Sequence, residues 1–256
     1  MNDKAESILL TRVDNHIATF TLNRPNKFNA LSEELLDELQ SAFVEAGSDD
    51  SIAVIILEAR GRAFCAGHDL RQMRSNHAEE YYQTLFNNCS TMMQSIRKIP
   101  QPVIASVQGL ATAAGCQLVA TCDLAVASNT AQFAVSGINL GLFCSTPSVA
   151  LSRNINSKRA LEMLLTGEFI DADTAVEYGL INHSVEPEQL TTITQQLAET
   201  IAGKPASARR IGKSMFYAQQ PQSTSAAYEY AAQVMATNMM DAETIEAVDN
   251  LSLIHI

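Results

Sequence analysis

The stretch Arg60-Gly61-Arg62-Ala63-Phe64-Cys65-Ala66-Gly67-His68-Asp69-Leu70 follows the apolar, β-branched run Ala53-Val54-Ile55-Ile56-Leu57. This order describes a buried strand that runs into a tight loop. Glycine lets backbone approach a ligand closely, and loop N–H groups can be aimed at a negative charge. A strand-to-helix turn whose small residues serve only packing would have the same composition. A second stretch repeats the pattern, with the run Val103-Ile104-Ala105-Ser106-Val107 delivered into Gly109, Ala111, Ala113, Ala114 and Gly115. Two buried strands, each ending in a small-residue loop, can bring two N–H groups to one point, which is what an oxyanion hole requires.

The rest of the chain sets limits on function. With 256 residues and 46% hydrophobic content it can bury a large core, and one domain with appended helices is expected. A formal charge of -11 argues against a nucleic-acid or anionic-membrane surface, which needs clustered Lys and Arg. An anionic ligand would be held by backbone donors or a few local cations. The five cysteines, at positions 65, 89, 116, 122 and 144, show neither CxxC nor a Cys/His metal spacing, so buried thiols in a reducing compartment are expected and no metal site is. The start, Met1 to Ser7, lacks a targeting pattern, and no apolar run is long enough to span a membrane. A cytoplasmic protein is the expectation.

Periodicity predicts a hairpin from Ile8–Val13 and Ile17–Leu22 around the turn pair Asp14-Asn15, then a helix capped by Ser32. Strands alternate with helices as far as Ala127, and helices dominate from Ser145 onward. A largely parallel, covered sheet follows from that alternation. The last six residues, Leu251 to Ile256, fit no helix begun before them and are read as a non-native tail after a truncated frame.

The stretches Leu22-Asn23-Arg24-Pro25, Asn29-Ala30-Leu31, Ala63–Leu70, Gly109–Leu118, Cys122-Asp123, Ala131-Gln132-Phe133, Leu164-Thr166-Gly167 and Gly179-Leu180 together resemble the crotonase, or enoyl-CoA hydratase/isomerase, superfamily, in family order over residues 7 to 240. The resemblance implies an α/β fold: a crotonase-like spiral of ββα units, with an acyl-CoA-binding core over residues 1–195 and a C-terminal helical trimerisation region over 196–250. It implies a homotrimer or hexamer, a coenzyme A thioester as substrate or ligand, and no permanently bound cofactor. The backbone N–H groups of His68 and Ala114 would form the oxyanion hole, and Asn26, Lys27, Phe28, Ala66, His68 and Leu70 would contact coenzyme A. The His68 imidazole is a separate question: it is expected to point to solvent or to help hold the cofactor rather than to transfer protons.

Both glutamates expected of a hydratase are missing. The resemblance puts one at Gln117 and the other at Gly137, in Ser136-Gly137 before Leu140-Gly141. Neither amide nor glycine exchanges protons at neutral pH, and positioned acid–base groups contribute about 10²–10⁴-fold each. Ordinary hydration is therefore expected to be weak or absent. Cys144, Ser145 and Ser136 lie near the expected pocket without an identifiable base partner or a GxSxG elbow. Two readings remain: an enzyme that uses the oxyanion hole for altered lyase or isomerase chemistry, and a non-catalytic acyl-CoA binder or regulator. Gln117→Glu with Gly137→Glu is expected to create hydration of crotonyl-CoA, since the fold would already supply the oxyanion hole and the cofactor grip.

Overall fold

The computed structural model describes residues 7–254. Residues 1–6, most of the stretch that lacks a targeting pattern, and the last two residues of the tail lie outside that range. β1 (Leu9–Asp14) and β2 (Ile17–Leu22) form the hairpin, with Leu9 opposite Leu22 and Asp14 opposite Ile17. The turn is Asn15-His16, one residue later than Asp14-Asn15. Both residues have positive φ, 47° and 65°, as the primed two-residue turn requires for the strands to keep their twist. α1 (Glu33–Gly47) begins where Ser32 Oγ accepts from the Leu35 N–H at 3.3 Å, and it buries Leu35, Leu36, Leu39 and Phe43 along one face.

Three successive turns then repeat one plan. β3 (Val54–Ala59) and β4 (Ala63–Cys65) precede α2 (Leu70–Ser75) and α3 (Glu79–Lys98). β5 (Val103–Val107) and β6 (Leu110–Thr112) precede α4 (Ala114–Thr121). β7 (Leu124–Ser128) and β8 (Gln132–Ala134) precede a 3-10 turn, Ser136–Leu140, and α5 (Ser145–Leu151). The longer strand of each turn joins one sheet and the shorter strand joins another. With α6 (Ser157–Thr166), β9 (Ile170–Asp171), α7 (Ala172–Tyr178) and β10 (His183–Val185), the sheets have the orders β1-β2-β3-β5-β7-β10 and β4-β6-β8-β9. All neighbours are parallel except β1–β2 and β8–β9. This is the spiral of ββα units that the resemblance implied.

The continuous apolar runs in β3 and β5 arise because the larger sheet is covered on both faces. Ile55 and Leu57 enter the main core, while Val54, Ile56, Ile104 and Val126 meet Leu190 and Ala198 of α8 (Leu190–Ala202). α9 (Ala206–Gln219), α10 (Thr224–Met239) and α11 (Ala242–Ile254) complete the helical region. Residues 251–254 continue α11, contrary to the expectation that they fit no earlier helix, since nothing between Ala242 and Ile254 is a Gly or Pro stop. All five cysteines are free and buried, and burial pushes the Cys65, Cys89 and Cys116 thiols up to about 12.

Candidate active site

The segment Arg24–Leu31 is the mould on which the first loop is cast. Asn29 is fully buried with φ 52°, and its side chain accepts from the Arg24 N–H at 2.8 Å and donates to the carbonyls of Arg60 (2.8 Å) and Ala63 (2.7 Å). The Arg24 guanidinium donates to the Ala30 carbonyl and pairs with Asp69 Oδ2 at 3.0 Å. Burial opposes the Asp69 charge, but Arg24 and the first N–H groups of α2 outweigh it and hold the carboxyl below its ordinary value.

Register then decides where the loop N–H groups point. The Ala66 N–H donates to Phe28 O (3.0 Å), the Leu31 N–H to Gly67 O (2.8 Å), and the Asp69 N–H to Leu31 O (3.1 Å). Leu31 and His68 therefore form a parallel bridge, in which the peptide groups flanking His68 are used and its own N–H faces the other side. That N–H has no acceptor among the described residues, and neither has the Ala114 N–H at the first position of α4.

Glycines let the two loops touch. A Cβ on Gly67, whose φ is +90°, would lie 3.3 Å from the Ala114 nitrogen and 3.0 Å from Ala113 Cβ. One on Gly115 would fall 2.0 Å from the Cys65 carbonyl oxygen, and one on Gly109 would fall 2.2 Å from that of Arg62. Ala113 turns the chain into α4 with φ 51° and ψ -120°, a conformation that non-glycine residues adopt only under strain. Two unpaired N–H groups thus stand at a close approach of strand ends, the second of them at the positive end of a helix dipole.

A cavity of about 300 Å³ opens at this point, lined by Ala66, His68, Leu70, Ala113, Ala114, Ser136 and Gly137 together with an apolar wall of Met73, Phe86, Leu140, Leu142, Phe143 and Pro147. Cys144, Ser145 and Thr146 complete it, and no Asp or Glu lines it. Of the residues that the sequence singles out, the cavity brings together Ala66, His68, Leu70, Ala114 and Gly137. It does not include Gln117, a buried residue of α4 whose Oε1 has no hydrogen-bond partner. Asn26, Lys27 and Phe28 form an exposed turn outside the cavity, joined to it through the Phe28–Ala66 bond. Arg62 stacks on the Phe28 ring at 4.4 Å, a cation beside the cleft that sequence reasoning missed.

Two expectations are corrected here. The His68 ring does not point to solvent: it stands edge-on to Phe86 with centroids 5.5 Å apart, both nitrogens are buried without partners, and burial lowers its pKa to about 4. Gly137 is not an empty place for a carboxylate, because a Cβ there would meet Leu142 O at 2.6 Å and Cys144 Sγ at 2.7 Å. The polar groups near it are already engaged. Ser136 Oγ bonds Thr112 Oγ1 (2.8 Å), the Cys144 thiol donates to Val135 O (3.5 Å), and Ser145 Oγ donates to Phe143 O (3.3 Å). None of these three groups forms a nucleophile–base pair with a described residue. Among the described residues no cluster could hold a metal ion, and no helix is long and apolar enough to cross a membrane.

The ββα spiral defines the crotonase class of fold, and the chain belongs to the enoyl-CoA hydratase/isomerase family, whose sequence profile matches residues 12–250. It is 51% identical to an enoyl-CoA hydratase of Mycobacterium smegmatis, whose crystal structure superposes with a TM-score of 0.95 over 96% of each chain. Its similarity to the rat enoyl-CoA hydratase domain-containing protein 3, a mitochondrial protein, is 45% identity over 229 residues, or 90% of this chain and 76% of the rat protein. The crystal structure of the human protein of that name is 41% identical, with a TM-score of 0.94 over 96% of this chain and 98% of the human one.

Proposed function

We propose that the cavity binds the acyl group of a coenzyme A thioester and that the His68 and Ala114 N–H groups polarise its carbonyl, in fatty-acid or related acyl-CoA metabolism. The observation that carries this reading is the pair of partnerless N–H groups at the meeting of the Gly67 and Ala114 loops. Negative charge develops on a thioester oxygen when the α-carbon is deprotonated or the β-carbon attacked. A fixed donor stabilises that charge by about 2.7–4 kcal/mol. Exposed Lys27 and Arg62, beside Phe28, are the local cations for the coenzyme's phosphates on an otherwise acidic chain.

Without a carboxylate in the cavity ordinary hydration lacks its usual acid–base partner, so the enzyme reading is of lyase or isomerase chemistry that uses the two N–H donors with a proton acceptor other than a carboxylate of the lining. The absence of such a partner among the lining residues also favours a second reading, a non-catalytic acyl-CoA binder. Turnover screens over enoyl-, dienoyl- and acyl-CoA thioesters separate the two. Self-association into a trimer or hexamer is supported by the exposed apolar side chains of the C-terminal helices, and a reducing, cytoplasmic setting by the five unpaired thiols.

The test is Ala114→Pro, which removes one donor at a helix position that accepts proline. The expected outcome is retained folding with loss of the red-shifted thioester carbonyl band in infrared difference spectra. An unchanged band in the folded variant would remove Ala114 from the site, and calorimetry with no heat for any coenzyme A thioester would overturn the whole reading.

A further inference from the structure

We propose that the cleft between α3, α5 and α9 is a second anion-binding site, separate from the cavity at the glycine loops, and that it takes the di- or triphosphate group of a small soluble molecule. The site stands independently of the thioester reading.

The cleft has a volume of about 960 Å³ and lies on a chain whose formal charge is -11. Against that acidic background it is lined by Arg97 and Lys98 from the last turn of α3 and by Arg153 just beyond α5, and by no Asp or Glu. None of these three cations has a carboxylate partner among the described residues, whereas Arg24, Arg159, Arg210 and Lys213 each have one. Lys and Arg are favoured beside the last carbonyls of a helix, which accounts for each cation singly. It does not account for two helix ends turning their cations into one hollow. Like charges placed so repel, and an anion between them removes that cost.

The wall also holds one cation ready. Among the described residues Asp123 is the one carboxylate bonded to a lining side chain, and it is spent inside the protein: Oδ1 accepts from the Tyr217 hydroxyl at 2.7 Å and Oδ2 from Lys213 Nζ at 2.6 Å. Those bonds fix the Tyr217 ring, and the Arg97 guanidinium stacks on it at 4.1 Å with Nη2 3.3 Å from Gln220 Oε1. A guanidinium positioned before the ligand arrives loses little freedom on binding. Its neutral amide acceptor is readily exchanged for a phosphate oxygen, because hydrogen bonds between ionised groups are the stronger kind. Exposed Lys98 has no hydrogen bond of its own, and the Ser152 and Ser214 hydroxyls line the same hollow.

Ligand chemistry follows from that lining. With Ala218 and Pro221 as its only apolar members, the cleft does not suit an alkyl chain. A single carboxylate would answer one of three cations spread over two helix ends. A chain of phosphates carries several charges and can address them together, and its oxygens match the planar fork of an arginine.

The experiment is calorimetric titration of the full chain with inorganic tripolyphosphate at low ionic strength. One site per chain is expected, weakened about tenfold or more in Lys98→Glu with Arg153→Glu, two exposed side chains. Lys27→Glu with Arg62→Glu, at the cations beside the other cavity, should change the affinity by about twofold or less, as distant charges are screened. On the unsubstituted protein, nitrogen-15 spectra of the arginine side chains should show Arg97 and Arg153 moving with tripolyphosphate and Arg62 staying, which decides the matter should the first variant fail to fold. No binding by the parent, or an affinity that persists in Lys98→Glu with Arg153→Glu, overturns the inference. Binding lost only in Lys27→Glu with Arg62→Glu overturns it too, and assigns the anion to the mouth of the other cavity.

Discussion

The buried ring of His68 has a consequence for stability. Its folded-state pKa of about 4 lies below the ordinary histidine value because burial disfavours the charged ring. The unfolded chain takes up that proton first on acidification, so the ring's contribution is complete above about pH 6.5 and is lost as pH falls toward 4. Urea denaturation at pH 7 and pH 5 should therefore show a smaller loss of stability for His68→Phe than for the parent, and equal losses would contradict the buried, neutral ring. Gly137 gives a second residue-scale outcome, opposite to the one that the motif alone suggests. With Leu142 O 2.6 Å from the place of a Cβ, Gly137→Ala should destabilise by about 2 kcal/mol through displacement of the Gly141–Cys144 loop. The pair Gln117→Glu with Gly137→Glu should then fail to hydrate crotonyl-CoA, since one carboxylate has no room and the other starts from a residue outside the cavity. Measurable hydration by that variant would show that the loop moves aside at small cost.

Among the elements, α9 is held to the core by Asp123, which the sequence shows only as part of the motif Cys122-Asp123. Asp123 Oδ2 accepts from the Val103 N–H at 2.7 Å and from Lys213 Nζ at 2.6 Å, and Oδ1 accepts from the Tyr217 hydroxyl at 2.7 Å. Lys213 Nζ also donates to the carbonyls of Ile96 (2.7 Å) and Gln101 (2.8 Å), and Arg97 stacks on Tyr217 at 4.1 Å. Side-chain exposures of 5% for Lys213 and 13% for Asp123 make this a buried pair, and desolvation, opposed by Asp123, lowers the lysine's pKa. Such a pair need not be worth much against an apolar substitute, yet breaking it from one side strands a buried charge. Lys213→Met should cost about 3 kcal/mol in denaturant unfolding. Asp123→Asn added to it should recover part of that loss, and strict additivity of the two would argue against the pairing.

For the whole molecule, the C-terminal helices leave a large apolar area facing outward. α10 buries none of its 16 residues in the single chain, and Phe216, Met235, Met239 and Met240 are exposed by 53%, 70%, 49% and 77%. Apolar patches of this kind on a folded chain mark association surfaces. Sedimentation equilibrium at micromolar concentration should return the mass of a trimer or its multiple, and Met235→Glu with Met239→Glu should shift it toward smaller species. A monomeric parent would remove self-association as the explanation for that surface.

Much of the layout is legible without coordinates, because the signals are local. The runs Ala53–Leu57 and Val103–Val107 can only be strands covered on both faces, the Ser32 cap and the spacing from Leu35 to Ala46 define α1, and the glycines of both loops announce close backbone approach. The three-residue strands β4, β6 and β8 are too short to show a period, so the second sheet emerges only when they pair. The same holds within the site. Which way the His68 N–H points is set by its register with Leu31, and whether Gly137 has room is set by Leu142 and Cys144 folding back on it. The role of Asp123 is set by a lysine 90 positions further along the chain. Local pattern specifies an element because neighbouring residues compete for one backbone conformation, whereas the chemistry of this cleft depends on groups that only tertiary packing brings within a hydrogen bond of one another.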